Sequence, residues 1–477
     1  MLCWANGGAE MQTLFDVLHK AGHHIVYWVG ERDGKKIAPE GCIYHDHYEA
    51  WAGKPADAFV HERLDPPAAD FLERLYRTES LALTMMNKRY GDAPVDERKQ
   101  IYYDMLAYWN GVLEKVRPET ILFPTIPHSI YDFLVYALAK AKGIPTLMFE
   151  DTLVGGRLLW FGDYERGSEA LTSALVRNAH KHFTLEDIDV GLQNYYRSQT
   201  GDSQIQPAYM RAQKQASGGV GLLRHRAKIA WHSLFNGTLL SILALYLKRY
   251  FVRDLRDEHR EFAQSADLNK PFVYFPLGFQ PERTTAPQGD IFHDQILAAQ
   301  TIAAALPSGW ELYVKEHPSQ WWLRGKAKFS SARYSGYYRR IAAIPHVRLI
   351  PTHTDSHTLI ERSQTVATIT GTAGWEALFR LKKPLIFGYP WYLAAPQLRR
   401  VRSVEDCRKA FAEIQREPHT KPEALLTLLK SLEESSILAY IGIIRTHLGE
   451  YYDVPMSVEE SMNVIAKVVV EELHKAK

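Results

Sequence analysis

Residues 366–392, VATITGTAGWEALFRLKKPLIFGYPWY, constrain the fold more than any other stretch of the chain. A short apolar run at 366–369 leads into a glycine loop at 370–374, and a helical segment begins at Trp375. A second apolar run follows at 385–387 and ends at a glycine. This succession of strand, glycine loop, helix and strand is typical of half of a doubly wound nucleotide-binding unit.

The glycine loop itself has two interpretations. A glycine loop that opens a helix leaves backbone N–H groups facing outward, where an anion can bind, and the hydroxyls of Thr370 and Thr372 can add donors. Alternatively, Gly371 and Gly374 only make the turn and let the helix and strand pack closely. The polar residues at other strand ends decide between these interpretations.

Residues 270–390 alternate apolar strands and helices at the rhythm of a parallel sheet. We predict strands at 272–276, 310–314 and 347–350, in addition to 366–369. Because the carboxyl ends of parallel strands meet at one edge, the polar residues that follow them should face one crevice. The candidate nucleotide- and donor-binding residues there are Gln280, Glu282, Lys315, Glu316, His317, Pro318, Thr370, Gly371, Thr372, Ala373, Gly374 and Glu376.

Several of these side chains have chemistry that suits a phosphorylated sugar. Lys315 supplies a point charge for a phosphate, and His317 can donate to a phosphate oxygen or protonate it as it leaves. Glu282 or Glu376 can accept hydrogen bonds from ribose or sugar hydroxyls. The alternatives are a first-turn helix acid for Glu376 and a solvated strand end for Lys315.

The N-terminal half repeats the strand and helix alternation. We predict strands at 2–5, 24–29, 119–124 and 146–149, and the last of these runs into Glu150 and Asp151. Acidic residues at the carboxyl end of a parallel strand are candidates for a general base or nucleophile. The alternative for Asp151 is a helix or turn cap.

Composition narrows the class of protein. A chain of 477 residues is long enough for two or three domains, and its net charge of +2 does not suggest a nucleic-acid partner. Its three cysteines are far apart and form neither a metal pattern nor a disulfide framework, which favours a reducing compartment. We read the HDH run at 45–47 as a polar loop and predict no metal site.

A basic, amphipathic segment at 222–256 either lies in a membrane interface and attracts anionic lipid or packs on the protein itself. No apolar run approaches the length of a membrane span, and no signal peptide is apparent. We therefore expect a cytoplasmic protein, with peripheral contact at the inner membrane as an alternative.

KEHP after a strand, followed by TGTAGWEAL and KKPLIFGYPWY, resembles the bacterial capsule polysaccharide biosynthesis family, which includes the β-Kdo transferases. PLGFQPE and, more loosely, FEDTLVGGR are similar to two further segments of that family. The resemblance implies a GT-B fold, which has two Rossmann-like domains facing across a cleft and a final helix crossing back. It also implies a CMP-activated donor held by the His-Pro motif, and metal-independent transfer. Thr152 stands where a glycine would follow the acidic pair, and Glu282 where an aspartate is commoner a few residues on.

Together these observations predict an α/β protein of GT-B type with a helical insertion. Its predicted parts are an acceptor domain at 1–159, a helical insertion at 160–266, a nucleotide-sugar domain at 267–452 and a closing helix at 453–477. The predicted activity is transfer of an acidic, Kdo-like sugar from a CMP donor to a glycan or glycolipid, with Glu150, Asp151 and His317 as catalytic residues and no cofactor. The alternatives are another GT-B enzyme with a UDP, GDP or CDP donor, such as an epimerase or polyol-phosphate polymerase, and a non-catalytic export scaffold.

Overall fold

The computed structural model describes residues 1–201, 255–318, 320, 333–441 and 456–475, which form two α/β domains. The strands are β1 (Leu2–Cys3), β2 (Tyr27–Gly30), β3 (Ile43–Asp46), β4 (Ile121–Phe123), β5 (Thr146–Asp151), β6 (Arg157–Phe161), β7 (Phe272–Pro276), β8 (Glu311–Lys315), β9 (Val347–Ile350), β10 (Thr365–Thr368), β11 (Leu385–Ile386), β12 (Arg399–Arg400) and β13 (Ile437–Leu438). The helices are α1 (Glu10–Lys20), α2 (His47–Trp51), α3 (Ala69–Glu73), α4 (Tyr76–Met85), α5 (Val95–Val116), α6 (Tyr131–Lys142), α7 (Glu169–Asn178), α8 (Val190–Thr200), α9 (Leu255–Phe262), α10 (Gln295–Ala303), α11 (Tyr337–Ala342), α12 (Ser356–Arg362), α13 (Thr372–Leu378), α14 (Val404–Arg416), α15 (Pro422–Ser435) and α16 (Val458–Lys475).

The first sheet has the strand order β13-β6-β5-β4-β1-β2-β3. Strands β1 to β5 pair in parallel, whereas β6 and β13 run antiparallel at one edge. Side chains of α1 and α16 form the core on one face, and side chains of α5 and α6 form the core on the other. Because helices cover both faces, the strands are apolar throughout rather than alternating.

The second sheet has the order β12-β11-β10-β7-β8-β9, and all of its strands pair in parallel. Helices α10, α11 and α14 pack on one face of this sheet. A smaller cluster, which includes Leu359 of α12 and Ala377 of α13, covers the other face. Parallel strands joined by helices place every βα loop at the same edge, so this topology positions the candidate site.

The two domains are in direct contact. An apolar cluster joins Leu159 of β6 and Leu171 of α7 to Trp375 of α13 and Leu428 of α15. Asp290, which is buried between the domains, pairs with Arg77 of α4 at 2.9 Å and with Arg402 at 2.8 Å. The predicted α/β class, with two Rossmann-like domains, is confirmed.

Some local predictions differ from the structure. Residues 160 and 161, predicted to begin the helical insertion, instead belong to the antiparallel strand β6, which pairs with β5. His45 lies in strand β3 rather than in a polar loop, and its ring is buried against Tyr27. Residues 267–452 were predicted as the second domain, but strand β13 at 437–438 belongs to the first sheet. The last helix, α16, packs on α1 of the first domain.

The basic segment at 222–256 lies outside the described residues except for its last two. Within the described part of the chain, no helix is both long and apolar enough to cross a membrane.

Candidate functional site

The three polar strand ends predicted to meet are adjacent in the second sheet. Strand β7 lies between β10 and β8, so the loops that follow these strands share one edge. The hydroxyl of Thr370 donates to the carbonyl oxygen of Thr284 at 2.5 Å, which joins the loop after β10 to the loop after β7. The predicted convergence of these loops is therefore confirmed.

The glycine loop serves both packing and the start of a helix. Helix α13 begins at Thr372, three residues earlier than predicted, and no side chain caps its first turn. At Gly374 a Cβ atom would lie 2.7 Å from the hydroxyl of Tyr392, so close packing requires glycine there. The same hydroxyl donates to the carbonyl oxygen of Gly371 at 2.5 Å. The N–H of Gly374 donates to the carbonyl oxygen of Gly371 at 3.2 Å, and Thr372, the first residue of the helix, is exposed. An anion site at this helix start stays a prediction.

Glu316 and Gln280 form an internal network instead of lining the crevice. Arg333 makes a bidentate pair with Glu316 at 2.7 and 3.0 Å, and both side chains are 0% exposed. Arg333 also donates to the side-chain oxygen of Gln280, whose amide nitrogen donates to the carbonyl oxygen of His293 at 2.7 Å. These contacts hold the loops after β7 and β8 together, so the structure gives both residues an internal role.

Lys315 also has internal partners. Its ammonium donates to the carbonyl oxygen of Thr354 at 2.5 Å and to the hydroxyl of Ser356 at 2.7 Å, and it holds the loop before α12. Burial lowers the pKa of Lys315 to about 8. A phosphate contact by Lys315 stays a prediction, and it would require the ammonium to share or exchange these partners.

His317 and Pro318, which follow β8, are both partly exposed. His317 is half-buried, and its ring lies 6.0 Å from the ring of Phe279, measured between centroids. Burial lowers its pKa, so the imidazole is neutral at physiological pH. Its backbone N–H donates to Glu316 at 2.7 Å, which fixes the turn that presents the ring.

Glu376 and Glu282 occupy different surroundings. Glu376, in α13, is half-buried, and its charge acts on the phenols of Tyr195, Tyr274 and Tyr392. This carboxylate beside aromatic side chains suits recognition of hydroxyl groups. Glu282 is exposed, and its carboxylate accepts a hydrogen bond from Thr284 at 2.8 Å.

In the first domain, the two acidic residues at the end of β5 point to opposite faces of the sheet. Met148 packs with the core beneath α5 and α6, and Phe149 packs with the core beneath α1 and α16. Alternation along the strand therefore directs Glu150 to the first face and Asp151 to the second. Asp151 accepts a hydrogen bond from the N–H of Leu153 at 2.9 Å, and burial raises its pKa to about 6.

Arg283, which sequence reasoning missed, crosses from the second domain to Glu150. Its guanidinium pairs with the Glu150 carboxylate and donates to the hydroxyl of Thr125 at 2.6 Å. Burial raises the pKa of Glu150, although the charge of Arg283 opposes that shift. One arginine therefore joins the acidic strand end to the loop after β7.

The loop after β4 supplies further residues that the sequence analysis did not single out. His128 donates through Nδ1 to the carbonyl oxygen of Ile126 at 2.9 Å, and Lys88 donates to the carbonyl oxygen of His128 at 3.3 Å. Burial, with help from the charges of Lys88 and Arg283, lowers the pKa of His128 to about 3. The position of this loop at the carboxyl end of a parallel strand was the signal that could have identified it.

Among the described residues, no group of three or more His, Cys, Asp or Glu side chains is arranged to hold a metal ion.

Residues 239–421 match the model of a family described as capsule polysaccharide biosynthesis protein. This segment is therefore similar to the family that the sequence motifs resemble. The matched segment includes the three loops after β7, β8 and β10, but not Glu150 and Asp151. No curated protein matches the chain.

Solved structures similar to this chain include two transferases and an epimerase. KpsC of Thermosulfurimonas dismutans, a β-Kdo 2,4-transferase, is 14% identical with a TM-score of 0.28 and covers 66% of this chain and 79% of its own. The β-Kdo 2,7-transferase of KpsC is 11% identical with a TM-score of 0.29, over 75% and 88% of the two chains. The UDP-GlcNAc 2-epimerase of Neisseria meningitidis is 11% identical with a TM-score of 0.23 over 100% of both chains.

Proposed function

We propose that the protein is a glycosyltransferase of capsular or surface polysaccharide assembly, which transfers an acidic, Kdo-like sugar from a CMP donor to a glycan or glycolipid. One observation carries the proposal: an acidic strand end of the first domain lies in contact with the second-domain loop that adjoins the glycine loop. A buried carboxylate and an anion-binding helix start across one crevice are what transfer from a sugar phosphate requires. The match to the capsule polysaccharide biosynthesis family supports the biological context.

In this proposal, the CMP phosphate binds at the start of α13 and at the ring of His317. The uncapped N–H groups of the first helical turn stabilise the negative charge that develops on the leaving phosphate. Neutral His317 donates a hydrogen bond to that phosphate, and Glu376 accepts hydrogen bonds from ribose hydroxyls. This arrangement uses protein donors for the phosphate charge and predicts that added metal ions are not needed.

The reaction itself is assigned to the end of β5. Asp151 or Glu150 acts either as the base that takes the proton of the acceptor hydroxyl or as the nucleophile that attacks the anomeric carbon. In either case the bond from the anomeric carbon to the phosphate oxygen breaks, and CMP leaves with the electron pair. Contact between the domains limits access of water to the reacting carbon.

Calorimetric titration of CMP, UDP and GDP into the wild type and His317→Ala tests the donor assignment. We expect CMP to bind and the substitution to weaken its binding about tenfold or more, which corresponds to about 1.4 kcal/mol. His419→Ala is the matched control, because His419 is exposed beyond α14, at the opposite edge of the sheet, and should bind CMP like the wild type. Preference for UDP or GDP would refute the CMP donor, and no binding of any nucleotide would favour the export scaffold.

A further inference from the structure

The ion pair between Arg283 and Glu150 joins two domains through side chains that are largely withdrawn from water. The Glu150 side chain is 5% exposed, and that of Arg283 is 18% exposed. A carboxylate at such a site would favour its protonated form unless a cation lay beside it. For Glu150 that cation belongs to the other domain, 133 residues away in the chain.

The loop that carries Arg283 is attached on its other side to the glycine loop. The next residue, Thr284, accepts the hydrogen bond of Thr370 at 2.5 Å. Two adjacent residues therefore contact the two halves of the crevice, because Thr284 bonds to the loop that opens α13 and Arg283 bonds to the end of β5. Thr125 gives the guanidinium a second partner in the first domain at 2.6 Å, which fixes its orientation.

We propose that Arg283 is a positioning residue, which keeps Glu150 ionised and oriented within the crevice while the two domains are in contact. Separation of the domains would remove the cation and leave Glu150 to take up a proton or to gain water. The charge state of the acidic strand end is then tied to the closed arrangement of the domains. Only the catalytic consequence of this inference rests on the proposed function, since the ion pair exists independently of any substrate.

Other charged and titratable groups lie near the pair and interact with the charge of Arg283. Glu282 lies beside Arg283 on its own loop, and Asp151 lies beside Glu150 on its own strand; both charges act on Arg283. In the first domain, the charge of Arg283 helps to lower the pKa of both Lys88 and His128. Among the described residues, the ion-pair partner of the Glu150 carboxylate is Arg283.

The direct test is a pH titration of the Glu150 carboxyl group by carbon-13 NMR in the full-length protein. The signal is identified by its loss in Glu150→Gln. In Arg283→Met we expect the titration midpoint to rise by about one pH unit or more, because an opposite charge at this range lowers a carboxyl pKa by roughly 1–3 units. Arg283→Lys should restore much of the wild-type midpoint, since it keeps the charge.

Arg77→Met provides a matched control, because Arg77 also pairs across the domains but with Asp290. It should leave the Glu150 midpoint unchanged, which would exclude a general effect of loosening the domain contact. If Arg283→Met does not fold, Arg283→Lys and Thr125→Val replace it, and each should raise the midpoint by a smaller amount. An unchanged midpoint in every folded variant would overturn the proposal.

Failure of this inference and failure of the proposed function give different results. If wild type binds CMP and transfers sugar but Arg283→Met leaves both the Glu150 midpoint and the acidic limb of kcat/KM unmoved, the transferase assignment stands and the positioning role falls. If wild type binds no nucleotide but Arg283→Met raises the midpoint, the positioning role stands and the transferase assignment falls. With both intact, the acidic limb of kcat/KM should move to higher pH in Arg283→Met.

Discussion

Replacement of Glu316 by glutamine should destabilise the protein far more than loss of a ligand contact would. Glu316 and Arg333 are both 0% exposed, and the pair is bidentate at 2.7 and 3.0 Å. The phenol of Tyr338 donates a further hydrogen bond to the same carboxylate at 2.7 Å. Removing one partner of a buried pair leaves the other charge uncompensated, which costs about 3–5 kcal/mol of the free energy of unfolding.

Urea unfolding of the wild type and Glu316→Gln at pH 7 measures this loss. The double variant Glu316→Gln/Arg333→Met should recover part of the stability, because it removes the unpaired charge as well. Glu405→Gln is the matched control: its pair with Arg408 is exposed and 3.6 Å long, so its loss should cost less than about 1 kcal/mol.

The pH dependence provides a second check. Burial opposes ionisation of Glu316, but the charge of Arg333 and the hydrogen bonds from Arg333 and Tyr338 outweigh it and lower its pKa. A lowered folded-state pKa contributes stability that is present above the unfolded value of 4.5 and is lost as the pH falls through the folded value. The difference between wild type and Glu316→Gln should therefore shrink in acid. If Glu316→Gln lowers the free energy of unfolding by less than about 1 kcal/mol at pH 7 and abolishes nucleotide binding, the internal role of Glu316 is refuted. Glu316 would then be a ligand-binding residue.

Two further predictions concern the glycine loop and the acidic strand end. Gly374→Ala should lower the free energy of unfolding by about 1–3 kcal/mol, because its Cβ would lie 2.7 Å from the Tyr392 hydroxyl. Urea unfolding measures this loss, and adding Tyr392→Phe should restore part of the stability. If Gly374→Ala is as stable as the wild type, the close packing at this position is contradicted. Asp151 has a pKa raised from 3.8 to about 6 by burial, so its contribution to stability is complete below pH 3.8 and is lost as the pH rises through about 6. Asp151→Asn should therefore stabilise the protein at pH 8 by roughly 2–3 kcal/mol and have little effect near pH 3.5, and equal effects at both pH values would contradict the raised pKa.

Local pattern predicted much of the architecture. The strands at 272–276 and 347–350 were predicted with their observed bounds, because each is a short apolar run that ends in a turn signal. The convergence of the loops at one sheet edge was also predicted, because the carboxyl ends of parallel strands lie at the same edge. Strand β6 was missed, because the predicted boundary between residues 159 and 160 divides it. The antiparallel pairing with β5 that defines this strand is a contact in space.

The roles of the polar residues were less accessible. Lys315, Glu316 and Gln280 stand at strand ends as predicted. Their side chains bond to Thr354, Arg333 and His293, which no spacing rule connects to them. The sequence pattern of a charged side chain at a strand end is the same whether that side chain binds a ligand or pairs with a buried residue. Burial and partner geometry separate the two cases, and both are tertiary properties.

By itself, the amino-acid sequence determined the two-domain α/β class and the edge of the second sheet at which the three polar loops meet. Hydrophobic periodicity and glycine loops are local signals, so they can be recognised without the tertiary structure. The family resemblance was also carried by local motifs, and the matched segment contains all of them except FEDTLVGGR at 149–157. Only the tertiary structure decided that Arg283 meets Glu150, because that ion pair depends on how two separately folded sheets come into contact. The charge of a buried carboxylate depends on what surrounds it in space, and that environment is assembled only after the domains have packed.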